Sequence, residues 1–114
     1  FVAAASAAKF KYFTDQSCQI YNESYLTVTS AELKDLVIQS WPTTTAESYD
    51  SNLFLDKKKC PRNTDNNFKW WQVDNPWSSP GGAIAVVYYK ETDTYNLCDL
   101  LAATLSNGYQ GFCK

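Results

Sequence analysis

The sequence predicts an α+β domain in which a single helix packs on one twisted antiparallel sheet. Three observations predict it. One segment, residues 30–41, carries apolar residues at helical spacing behind a capping signal. After it, β-prone runs alternate with clusters of Gly, Pro, Ser and Asn. Four cysteines with no CxxC pair read as two disulfides in a small chain of 114 residues.

The elements follow in order. Residues 1–8 are Ala-rich, and Ala5-Ser6-Ala7 fits the small-residue pattern at which secretory leaders are cleaved. We read residues 1–8 as the remnant of such a leader or as an expression scar, and residues 9–114 as one domain. Residues 9–13 (KFKYF) alternate polar and aromatic, a short strand signature. Residues 18–21 and 25–28 are β-prone and flank Asn22-Glu23-Ser24, which suits a hairpin and is also a glycosylation motif. Thr29-x-x-Glu32 forms a capping box, since hydroxyl and carboxylate satisfy free backbone N–H groups reciprocally. Leu33, Leu36, Val37 and Trp41 then mark one apolar face, and Pro42 ends the helix.

Residues 43–64 are irregular, with a short strand expected near residues 53–55 and the basic cluster Lys57-Lys58-Lys59 and Arg62. Residues 68–73 (FKWWQV) read as a strand, 75–82 as turn material, and 83–89 as a central strand covered on both faces. Residues 95–104 form a second long apolar run, and 109–113 a closing strand. No internal repeat or second domain is visible, and no stretch approaches the ~18–20 apolar residues of a membrane helix.

Composition excludes more than it assigns. Formal charge is −2, so no global basic field draws the chain to nucleic acid or anionic lipid. There is no histidine. Imidazole acid–base catalysis, Ser-His triads, Cys-His dyads and His-ligated zinc are therefore excluded. The aspartates show no metal-loop spacing, so no metal and no cofactor is assigned. Four cysteines allow three connectivities. The favoured one joins Cys18 to Cys113, tying both ends, and Cys60 to Cys98. Both bonds point to an oxidising secretory route.

The second half resembles the small secreted guanyl-specific ribonucleases of fungi. The resemblance rests on Ser79-Pro80-Gly81-Gly82, Val86-Val87-Tyr88, the aliphatic run from Leu97, Thr104 with its Ser/Asn/Gly loop, and the penultimate Cys113. Upstream, the single helix, Ser48-Tyr49 and the aromatic run Phe68 to Trp71 fall in the same order. The resemblance implies a microbial-ribonuclease-like fold and locates a site. That family cleaves RNA with a Glu, an Arg and two His around a Tyr. Here Trp70 stands at the Glu position, Ala85 at the Arg, Ala103 at the strand-end His and Ser51 at the other His; Tyr49 persists. Loss of base, acid and cation together implies a pseudo-ribonuclease.

Degenerate chains of this kind resemble the RNase-like secreted effectors of powdery mildew fungi, which also join their terminal regions by a disulfide. The Tyr-x-x-Cys motif of that group is replaced here by a longer interval from Tyr12 to Cys18. This resemblance implies a secreted monomer that enters the plant cytoplasm or nucleus. There it binds host proteins and meets an intracellular immune receptor as an avirulence protein.

Further residues carry binding readings beside plainer ones. Lys57, Lys58, Lys59 and Arg62 could contact RNA phosphates, against the usual fate of loop charges as a solvated face. Trp70, Trp71 and Trp77 could stack bases, against the commoner packing under a sheet. Adjacent Trp70 and Trp71 must point to opposite faces, which would leave one free as an anchor for a partner. Two other classes compete with the effector reading. One is an active secreted ribonuclease using Glu47 and Asp50 beside Tyr49; the other is an extracellular toxin or inhibitor.

Overall fold

The structure, a computed structural model, describes residues 8–50, 55–64, 67–73, 82–109, 111, 113 and 114. Residues 1–7 of the leader remnant, Ser51, residues 53 and 54 of the short strand expected over 53–55, Trp77 and the Ser79-Pro80-Gly81 turn lie outside the described residues; Leu55 is described and is not in a strand.

The chain is α+β. Among the described residues its strands are β1 (Lys9–Lys11), β2 (Gln16–Gln19), β3 (Tyr25–Val28), β4 (Asn67–Val73), β5 (Gly82–Tyr89) and β6 (Thr94–Leu101), with one α-helix, α1 (Ser30–Ser40), after β3. Four strands make the main sheet in the order β1-β6-β5-β4, while β2 and β3 pair separately as a two-stranded sheet.

The capping box forms as the sequence predicts. Thr29 Oγ1 accepts from the Glu32 N–H at 3.1 Å, and Glu32 Oε1 accepts from the Thr29 N–H at 2.9 Å. Asp15 adds a third contact, accepting from the Ser30 N–H at 2.7 Å and placing negative charge at the positive end of the helix. Leu33 and Val37, one turn apart, are fully buried against the sheet, where they meet Ile84, Val86 and Leu97. Pro42 turns the chain into a 3-10 segment, Trp41–Thr43.

The antiparallel expectation is corrected at one edge. β4, β5 and β6 are antiparallel, but β1 runs parallel to β6, with Phe10 opposite Tyr95. Parallel neighbours need a long crossover, and here the rest of the domain supplies it. The rings of Phe10 and Tyr95 stack at 5.4 Å, which fixes the short strand by side-chain area as well as by hydrogen bonds. The tail's closing strand was expected over 109–113, of which residues 110 and 112 lie outside the described residues; the described ones make an isolated bridge, Cys18 to Cys113. Among the described residues, three strands, β4, β5 and β6, follow the helix.

Both disulfides take the favoured pairing, Cys18–Cys113 and Cys60–Cys98. Strand alternation divides the core in two. Even residues of β5 (Ile84, Val86) face the helix; odd ones (Ala85, Val87) face the irregular segment before β4. A bulge breaks the alternation in β6. Ala85 pairs with Asp99 and Val86 with Leu97, so Cys98 is the extra residue. Leu97 and Leu100 therefore both reach the helix-side core, while Cys98 joins the other.

Candidate functional site

The sheet face away from α1 packs against described residues of the preceding segment, Tyr49, Leu55 and Cys60, held there at several points. The Glu47 N–H donates to Phe68 O at 2.8 Å, at the β4 edge. Tyr49 is buried edge-on to Phe68, its ring 6.2 Å away, and its hydroxyl donates to the Cys60 carbonyl. Cys60 is bonded to Cys98 of β6. Asn96 Nδ2 donates to Lys59 O at 2.8 Å, and the Tyr89 hydroxyl donates to Pro61 O. Asp56 closes the lysine turn by accepting from the Lys58 N–H at 2.9 Å. The backbone of the basic segment is therefore fixed, while Lys57, Lys58, Lys59 and Arg62 remain exposed.

Three of those cations, with Lys11 of β1, gather on two tyrosines. Lys57 and Arg62 lie 5.5 and 5.4 Å from the Tyr49 ring centre. Lys59 and Lys11 lie 5.9 and 5.4 Å from the Tyr12 ring. Arg62 is also paired with Asp50, an exposed ion pair of small energetic weight. The hydrogen bond from Arg62 holds the Asp50 carboxyl below its ordinary range. Burial pushes the Tyr49 phenol up, the nearby Arg62 opposing it. Beside this cluster an open groove of about 500 Å³ runs between β1 and the segment at 61–63, lined in part by Lys9, Lys11, Tyr89 and Asn96. Tyr89 is pushed up to about 12, first by desolvation and then by Tyr49 and Tyr12.

The positions that the sequence resemblance singled out divide between the two faces. Trp70 and Ala85 are direct cross-strand partners, and both belong with Tyr49 to the face away from the helix. Ala103 sits in the helix-side core and is not brought to them. Ser51 is outside the described residues. Trp71 turns to the helix side, its ring 6.4 Å from Trp41, and among the described residues its buried indole N–H has no hydrogen-bond partner. Both Trp70 and Trp71 are half-buried, so neither is the freely exposed anchor that alternation allowed.

Sequence reading missed Asp99. The register sets it opposite Ala85, on the same face as Tyr49 and Trp70. Burial pushes its carboxyl up, offset by the Leu100 N–H that it accepts at 2.8 Å and by Lys59. A lone acid inside the apolar run Leu97-Cys98-Asp99-Leu100-Leu101 was the available signal. Among the described residues no three Cys, Asp or Glu side chains come together as metal ligands. The face can therefore offer cations, aromatic surface and one partly desolvated carboxylate. Comparison with family models, curated proteins and solved structures finds no match to this chain.

Proposed function

We propose that this chain is a catalytically inactive effector on a ribonuclease-like scaffold, secreted by a fungal pathogen and acting inside plant cells. It works by binding host proteins, with RNA as a weaker partner, and is open to recognition by an intracellular immune receptor. One observation carries the reading: Tyr49, Trp70 and Ala85 share the sheet face away from the helix. The resemblance sets the family's Tyr, Glu and Arg at these three positions, while Ala103, matched to the strand-end His, lies in the helix-side core. RNA cleavage by attack of a 2′-hydroxyl needs a base, an acid for the leaving oxygen and a cation for the phosphorane. An indole packed opposite a methyl group supplies none of these.

The two disulfides support passage through an oxidising compartment. Among the described residues no helix is long and apolar enough to cross a membrane. The exposed cations around Tyr12 and Tyr49 support the weaker RNA contact. The test in tissue is leaf expression of the chain without a leader. Cell death confined to plants carrying a matching receptor supports the reading. Activity seen only when the protein is applied outside cells favours the toxin or inhibitor class.

A further inference from the structure

The hairpin between β2 and β3 carries the chain's one Asn-x-Ser/Thr motif, Asn22-Glu23-Ser24, and all three residues are exposed. The turn is closed by backbone bonds from the Ile20 N–H to Ser24 O and from the Glu23 N–H to Ile20 O, both 2.8 Å. Within it the Asn22 side chain accepts from the Ser24 N–H at 3.1 Å and from the Ser24 hydroxyl at 2.6 Å. A backbone N–H can only donate, so the atom facing it must be Oδ1. Oδ1 is thus engaged twice by the residue that completes the motif, and neither bond uses Nδ2.

We propose that Asn22 is an N-glycan acceptor. The step is a glycosyl transfer from a lipid-diphosphate oligosaccharide. Nδ2 attacks the anomeric carbon, and the new C–N bond replaces the C–O bond to phosphate. Nδ2 gives up one proton, and the lipid diphosphate leaves with the bonding pair. The transferase meets the chain before folding is complete, so the folded turn matters as the place that must keep the product. It does so without cost, because Asn22 is exposed and no buried contact is lost.

The surroundings suit a sugar. Tyr21, Tyr25 and Tyr109 are 53%, 44% and 75% exposed, three of the most exposed large apolar side chains. The turn carrying Tyr109 is tied to the hairpin by the Ser106 N–H donating to Tyr21 O at 3.1 Å and by the Ser106 hydroxyl donating to Glu23 at 3.4 Å. Tyr21 adjoins Asn22 in sequence, so a glycan there has an exposed aromatic side chain beside it.

The inference rests on the secretory part of the proposed function, so the experiment reads the two separately. The full chain is expressed behind a heterologous secretion leader in yeast and recovered from the medium. Thiols are titrated, and intact mass is measured before and after N-glycosidase digestion in ¹⁸O water. The expected result is a heterogeneous glycan mass that collapses on digestion, leaving the heavy label on residue 22. Asn22→Gln and Ser24→Ala each remove it, whereas Ser24→Thr keeps it. Disulfide-bonded protein with bare Asn22 overturns the glycan and leaves the secretory reading in place. Glycosylated protein with free thiols does the reverse.

Discussion

Trp70 and Ala85 lie directly opposite one another on β4 and β5, on the sheet face turned away from α1. Trp70 packs against the cluster that holds Ala85, Tyr49, Leu55 and Cys60, and Ala85 is fully buried in it. A fully buried alanine leaves no room for a long cation. Ala85→Arg should overpack the face by about 1–3 kcal/mol and strand a charge in it. Thermal denaturation should show a fall of at least several degrees. An unchanged midpoint would mean that the face is open enough to hold an arginine.

Asp99 gives the face a pH signature. Its folded-state pKa is raised chiefly by burial. The folded chain therefore prefers the protonated acid, and stability is lost as pH rises through the unfolded and then the folded pKa. Asp99→Asn removes this loss while keeping an oxygen for the Leu100 N–H. The variant should melt higher than the parent at pH 7, with the gap closing below about pH 4. A gap independent of pH would assign the effect to packing.

The Cys60–Cys98 bond staples the basic segment to β6 across a sequence separation of 38. On the chain-entropy account each disulfide contributes about 4–5 kcal/mol. Replacing both Cys60 and Cys98 by Ala should lower stability on that scale. Hydrogen exchange should accelerate at the Cys60 N–H, which now donates to Asp56 O at 3.1 Å, while α1 stays protected under conditions where the fold persists.

The exposed cations should behave as phosphate contacts in proportion to their number. Changing Lys57, Lys59 and Arg62 to Gln should weaken retention of single-stranded RNA and flatten its salt dependence by up to about 2 in log–log slope. Arg62 should contribute least, because Asp50 already neutralises it. Equal retention by parent and variant would remove RNA from the partners.

Local physics made much of this fold legible. Thr29 and Glu32 announce a helix start because both partners of the capping box are in sequence reach of each other. Leu33 and Val37 announce the buried face because one helical turn separates them. The parallel pairing of β1 with β6 could not be read so, since nothing near Lys9 encodes a partner at Thr94. The bulge at Cys98 was hidden for a related reason. Strict alternation sets residues 97 and 100 on opposite faces, and only the cross-strand register shows them on one. At the site, Tyr49 and Trp70 were visible as residue types, but their shared face and the proximity of Asp99 depend on pairing.

The absence of cleavage is the central claim, and RNA turnover tests it most directly. Purified protein with both disulfides intact is incubated with total RNA and with short defined oligonucleotides, beside a mock preparation. The account predicts no cleavage above the mock at any pH from 4 to 9. Sustained cleavage that is absent from the mock and lost in Glu47→Gln, Asp50→Asn or Asp99→Asn would contradict it and make the chain a carboxylate-dependent ribonuclease.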